Sequence, residues 1–149
     1  TDAGGRASAT VPLGPHPLLA DLLATRLREV GTAPGDAVVL AAAGSTDPAA
    51  SVDVVAMADL LRERVDGPVS VGFAAGAGTR IGAAVAAARD AGAPRVVAAS
   101  YVLAPGFFAD VIARSGADLV TAPLAPDDLV ARVVVERYLA AAAPLTRAA

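Results

Sequence analysis

Val38-Val39-Leu40-Ala41-Ala42-Ala43-Gly44-Ser45-Thr46-Asp47-Pro48 is the stretch that decides the fold. An apolar run stops at a small polar turn, and a helix-like segment follows. A buried parallel strand hands over to a helix in this way in an α/β sheet. Small ligands in such sheets bind at the carboxyl ends of strands, which places Gly44, Ser45, Thr46 and Asp47 at the rim of any site. Asp47 is suited to cap the helix and Pro48 to fill its first position.

Upstream, residues 1–10 are rich in Gly, Ala and Ser, the composition of a flexible or partly ordered end. Pro12-Leu13-Gly14-Pro15-His16-Pro17 then leads into a helix. Its Leu18, Leu19, Leu22, Leu23, Leu27 and Val30 recur at helical spacing until Gly31. Downstream, the helix after Pro48 has Val52, Val55, Ala56, Leu60 and Leu61 as its expected apolar face and ends at Gly67-Pro68. Strands are expected at Val69–Ala75, Arg95–Tyr101 and Asp118–Thr121. Helices are expected at Arg80–Ala91, Phe107–Ser115 and Pro126–Ala143. The alternation implies a three-layer α/β/α arrangement around a parallel sheet of four strands, or five if the amino-terminal segment supplies one.

Composition excludes several kinds of chemistry. The chain has 149 residues, 55% hydrophobic and 18% charged, enough for one globular domain with its own core. Its net charge is −3 and its arginines are dispersed, so no nucleic-acid footprint is present. No apolar run is long enough for a bilayer, and the first residues do not read as a signal peptide. No membrane association and a cytoplasmic location are the default expectations. The sequence has no Cys, Lys, Asn, Gln or Trp and a single His. Thiolate nucleophiles, Schiff-base lysines, phosphate-loop lysines and two-histidine metal sites are therefore ruled out, and no metal ligand is assigned.

The chain also echoes itself at an offset of 111 positions. Gly5, Thr10, Pro12, Leu13, Pro15, Leu18, Ala20 and Arg26 match Gly116, Thr121, Pro123, Leu124, Pro126, Leu129, Ala131 and Arg137. Pro-Leu-x-Pro is a common way into a helix, but eight matched positions favour a duplication. Residues 1–30 then read as a linker plus the last strand and helix of a preceding α/β half, and residues 31–149 as one complete half. An upstream unit in the parent polypeptide is expected, and the orphaned amino-terminal segment is expected to pack across a two-fold partner.

Three loop motifs carry a family resemblance: Ala-Gly-Ser-Thr-Asp-Pro at 43–48, Leu-Ala-Pro-Gly-Phe-Phe at 103–108 and Pro-Leu-Ala-Pro at 123–126. In order and spacing they resemble the sirohydrochlorin chelatases, the class II or CbiX-type lyases of cobalamin and siroheme biosynthesis. The resemblance implies a chelatase-like fold and insertion of Co²⁺ or Fe²⁺, as substrate, into a tetrapyrrole. Longer members are fused tandem halves around one cleft, and this chain resembles the carboxyl-terminal half. The implied partner is an amino-terminal chelatase half or a homodimer partner.

The family's two histidine positions are Ala43 and Phe108 here. Imidazole accepts pyrrole protons and hands on the metal near neutral pH, so no catalytic residue is assigned and this half is expected to be inactive alone. The resemblance leaves Gly44, Ser45, Thr46, Arg80, Pro105, Gly106, Phe107 and Phe108 as candidate substrate contacts. Each has a plainer reading. Ser45 and Asp47 suit a helix cap, Phe107 and Phe108 the core face of a short helix, and Arg80 a solvated surface. Gly106 suits a turn with positive φ. His16 reads as a surface turn residue, and Glu29, Glu63 and Glu136 as solvated helix faces.

Two other functions fit less well. A non-catalytic interaction or dimerisation module of the same fold needs only the scaffold. An NADP-binding protein would use the loop Gly76-Ala77-Gly78-Thr79-Arg80-Ile81-Gly82. That loop follows the second strand rather than the first, and the next strand closes at Ser100-Tyr101 without an acid.

Overall fold

The computed structural model describes residues 7–147, so the stretch 1–6 of the expected flexible end lies outside the described residues. Its elements run α1 (Pro17–Glu29), β1 (Ala37–Ala42), α2 (Pro48–Arg62), β2 (Val69–Phe73), α3 (Ile81–Asp90), β3 (Val96–Tyr101), α4 (Phe107–Ala113), β4 (Leu119–Val120) and α5 (Asp128–Arg147). The strands form one parallel sheet in the order β2-β1-β3-β4. Among the described residues there are four strands. The described part of the amino-terminal segment adds a helix to the sheet rather than a fifth strand.

Both faces of β1 are covered, which is why its sequence shows no polar alternation. Val38 and Leu40 belong to a core with α1, α2 and α5, whereas Val39 and Ala41 belong to a second core with α3 and α4. The three-layer α/β/α architecture follows directly. In α2 the buried stripe is Met57, Ala58 and Leu61, with Val54 partly buried. Of the expected face, Leu61 is buried and Leu60 and Ala56 are partly so, whereas Val52 and Val55 are exposed, because the 54-57-58-61 spacing is the one that turns toward the sheet.

α1 is fully part of this core. Leu19, Leu22, Leu23 and Leu27 are buried against β1, β3, α2 and α5. His16 is not a surface turn residue. Its Nδ1 accepts the Leu18 N–H at 3.0 Å and caps α1. The proton then sits on Nε2, which lies 2.7 Å from Glu136 Oε2 and donates to it. Glu136 is exposed, as a solvated face should be, and also holds this ring across 120 positions of sequence.

Two carboxylates fasten the amino ends of the strands. Asp36, buried before β1, accepts from Arg95 Nη2 at 2.7 Å and from the Ala33 N–H at 2.8 Å. Asp118, before β4, accepts the Val96 N–H at 2.8 Å and pairs with Arg89 at 3.0 Å. The Arg95 hydrogen bond chiefly lowers the Asp36 pKa, with help from Ala33, and the Val96 hydrogen bond chiefly lowers that of Asp118, with help from Arg89. A carboxylate with a depressed folded pKa stabilises the fold above its ordinary value and loses that contribution as pH falls through the lower folded value. Thermal melting is therefore expected to hold steady down to mildly acidic pH and to fall steeply below 3.8, the ordinary value for both groups. Asp36→Asn is expected to melt lower at neutral pH and to show a shallower acid drop. An unchanged acid limb in that variant contradicts the assignment.

Candidate functional site

The sheet order places a switch point between β1 and β3. The chain leaves β1 toward α2 on one face of the sheet and leaves β3 toward α4 on the other. Loops that diverge in this way open a crevice at the carboxyl ends of their strands. A cavity of about 210 Å³ lies there, lined by Ala43, Gly44, Ser45, Val54, Phe73 and Tyr101 among others. A second cavity of about 310 Å³ adjoins it, lined by Leu13, Gly14, Leu103 and Leu124, and the two share Tyr101. Residues 43–48 and 103–108 thus leave neighbouring strands at one edge of the sheet, as the chelatase resemblance requires.

The rim is built tightly. Gly44 has φ +91°, and a side chain there would run into the Ala75 carbonyl. Gly76 has φ +74°, and an added Cβ would sit 2.6 Å from Ser45 O. The loops after β1 and β2 are therefore pressed together backbone to backbone, and the Ala75 N–H donates to Ala43 O at 2.9 Å. This close approach accounts for Gly76 without a dinucleotide. Gly82 was expected to admit close helix packing, yet it is exposed and an added Cβ meets only Ser115 O at 3.7 Å. Gly72 has that role instead, since its absent Cβ would lie 2.7 Å from Ile81 Cα.

Ser45 Oγ accepts the Asp47 N–H at 3.0 Å, and Asp47 Oδ1 accepts the Ala49 N–H at 2.9 Å. The capping reading holds for Asp47, and Ser45 serves the same turn while lining the cavity. The first amides of α2 are thereby taken. No side chain caps α3 or α4. Thr46 is exposed at the rim. Arg80 precedes α3 at the same edge, exposed, and makes no ion pair among the described residues.

Pro105 and Gly106 are exposed in the loop after β3, and Gly106 has φ +152°. Phe107 and Phe108 are not a core face, contrary to the reading of a short helix. They are 69% and 40% exposed, edge-to-face at 5.5 Å between ring centres. Within α4 only Ile112 is buried. Neither phenylalanine lines the two cavities; both stand outside them on the same edge.

Tyr101 is the residue that sequence reasoning missed. It ends β3 and joins both cavities, and Gly14 crosses so close that a Cβ there would collide with the Tyr101 hydroxyl. Burial, aided by the charge of Asp53, pushes its pKa to about 12, so it remains a hydrogen-bond donor at neutral pH. A tyrosine closing an otherwise Val- and Ala-rich strand was the available signal. Among the described residues no cluster of three His, Cys, Asp or Glu side chains is placed to hold a metal ion. No helix among them is long and apolar enough to cross a membrane.

The CbiX family model matches residues 37–141, from the first residue of β1 to the interior of α5. The chain belongs to the CbiX family. The match leaves α1 outside it. Among solved structures, this CbiX chain is similar to SirB from Bacillus subtilis, determined with Fe³⁺. The identity is 22% and the TM-score 0.78, over 90% of this chain and 57% of that one. It is also similar to DR2241 from Deinococcus radiodurans, described as a multi-domain protein with structural similarity to chelatases and two additional novel domains. There the identity is 23% and the TM-score 0.65, over 91% of this chain and 32% of that one. No curated protein matches the sequence. These likenesses fix the fold as the chelatase-like α/β/α sandwich, and the chain spans little more than half of the SirB chain.

Proposed function

We propose that this chain is the quieter half of a sirohydrochlorin chelatase, completing the cleft in which Co²⁺ or Fe²⁺ enters the macrocycle. The observation that carries this reading is what stands at the two family histidine positions. Ala43 lines the crevice at the switch point and Phe108 is exposed on the same edge. The scaffold of the site is kept, and its proton-accepting groups are replaced by apolar ones. A flat tetrapyrrole has apolar faces and a carboxylate rim. Phe107 and Phe108 suit the former, and the free guanidinium of Arg80 suits the latter. Tyr101 offers a neutral donor. None of these groups takes a proton from a pyrrole nitrogen at neutral pH, so a sibling half supplies the base and passes on the metal.

Anaerobic assays with sirohydrochlorin and Co²⁺ or Fe²⁺ test this. Metal insertion followed by absorbance is expected to stay at the uncatalysed rate with the 149-residue chain alone. The macrocycle's fluorescence is expected to change on adding the chain, with binding weakened roughly tenfold in a Phe107→Ser, Phe108→Ser double variant, the usual scale for losing aromatic contact area. Turnover above background by the chain alone contradicts the absence of a base, and equal binding by the variant contradicts the placement of the macrocycle.

A further inference from the structure

Arg80 stands at the end of a loop whose sequence promises little order. Residues 74–80 read Ala-Ala-Gly-Ala-Gly-Thr-Arg, with almost no side chain to pack. A guanidinium carried on a loose loop meets a ligand only after the loop is ordered, and that ordering costs affinity. The loop is nevertheless held in place, and one residue beneath it does most of the holding.

Phe73 ends β2, is buried, and lines the smaller cavity of the crevice. The next residue continues the pairing with β1, its N–H donating to Ala42 O at 2.9 Å. Phe73 itself faces the other way. Its N–H donates to Thr79 O at 2.8 Å, and Phe73 and Arg80 form a single rung of parallel pairing. The chain thus leaves β2, turns, and returns to lie against the free edge of the same strand. The ring supports the turn as well: a Cβ on Gly78 would lie 2.8 Å from Phe73 Cδ2, so the loop backbone rests directly on the ring. The near end of the loop is fastened to the loop after β1, where the Ala77 N–H donates to Ser45 O at 3.4 Å. Beyond it α3 begins at once, with the Ala84 N–H donating to Arg80 O at 3.0 Å. The Arg80 main chain is therefore tied to β2 on one side and to α3 on the other, while its side chain stays exposed.

We infer that Phe73 is a positioning residue for carboxylate recognition: by holding Thr79 through its N–H and Gly78 through its ring, it presents Arg80 to the acidic rim of the macrocycle from a preformed place. The cost of ordering a glycine-containing loop is then met on folding and not on binding. Preference for an anionic edge depends in this way on an uncharged residue that touches the crevice wall and the loop together. The inference rests on the cleft reading proposed above and adds to it how the carboxylate contact is set.

A double-mutant cycle read by fluorescence titration with sirohydrochlorin tests it. Arg80→Ala is expected to weaken binding roughly tenfold, the scale of one lost charge-assisted hydrogen bond. Phe73→Leu and Gly78→Ala are each expected to weaken it roughly threefold to fivefold when Arg80 is present, and to change nothing in the Arg80→Ala background, because they act through the guanidinium. Gly78→Ala displaces the exposed loop from the ring and leaves the core whole, so it serves even where Phe73→Leu folds poorly. Amide exchange followed by NMR needs no ligand. The Phe73 N–H is expected to exchange slowly in the unsubstituted chain and at least about tenfold faster in Gly78→Ala, with the Ala74 N–H unaffected. Equal weakening in both backgrounds overturns the inference, since Phe73 then only supports the crevice wall. Fast exchange of the Phe73 N–H in the unsubstituted chain overturns it as well. Binding that is intact but indifferent to Arg80→Ala removes the carboxylate contact alone, whereas no binding by the unsubstituted chain overturns the cleft reading and this inference with it.

Discussion

Gly44→Ala is expected to lower the unfolding free energy by about 3–5 kcal/mol, the sum of a strained backbone and an overpacked contact. Two costs act at one residue. The backbone has φ +91°, a region that L side chains rarely adopt, and the new Cβ would sit 2.8 Å from the Ala75 carbonyl carbon, with the oxygen closer still. Neither neighbour is a flexible side chain that can swing aside. Relief requires parting the loops after β1 and β2, which breaks the bond from the Ala75 N–H to Ala43 O. Ser45→Ala, one residue on, loses a partly exposed turn hydrogen bond and is expected to cost only about 0.5–1 kcal/mol. Urea denaturation followed by circular dichroism measures both. Similar small losses would mean that the rim is softer than its geometry implies.

The second large effect lies in α1. Leu23→Ala removes a fully buried side chain from the core that joins α1, β1 and α2, and about 3 kcal/mol of stability is expected to go with it. Its echo Val134 is 46% exposed, so Val134→Ala in the same chain is expected to change stability by no more than about 0.5 kcal/mol. The two positions correspond at the offset of 111, but Leu23 lies in the core and Val134 does not. Equal losses from both variants would contradict this difference in burial.

Much of this was legible in the sequence, and the reasons differ by element. β1 was plain because six consecutive buried residues leave no competing pattern. The start of α2 was plain because Asp47-Pro48 carries its own capping chemistry. β2 was expected to run to Ala75; the strand ends at Phe73, although the Ala74 and Ala75 N–H groups go on donating to Ala42 and Ala43, so the expected extent is kept in hydrogen bonds. β4 is two residues long where four were expected, yet the Asp118 and Thr121 N–H groups still donate to Val96 and Ala98, and their side chains add further bonds to β3.

The site was harder to read. His16 looks like a turn residue until Glu136 is brought beside it, and no local pattern announces that contact. Phe107 and Phe108 look like core until α4 proves to be seven residues long with only Ile112 facing inward. Tyr101 draws its importance from Gly14, far away in the chain, crossing its hydroxyl. Local chemistry is written locally, whereas long-range contacts appear only when the topology is known.

Ser100 and Thr121 clasp each other at the end of β4. The Ser100 N–H donates to Thr121 Oγ1, and Ser100 Oγ donates to Thr121 O, both at 2.8 Å. Side chains thus finish a boundary that the main chain begins with the Thr121 N–H on Ala98 O at 3.0 Å. A strand only two residues long offers a passing polypeptide almost nothing to zip onto. Fibrous self-association, a standing risk for so aliphatic a sequence, is discouraged along this margin by truncation rather than by charge.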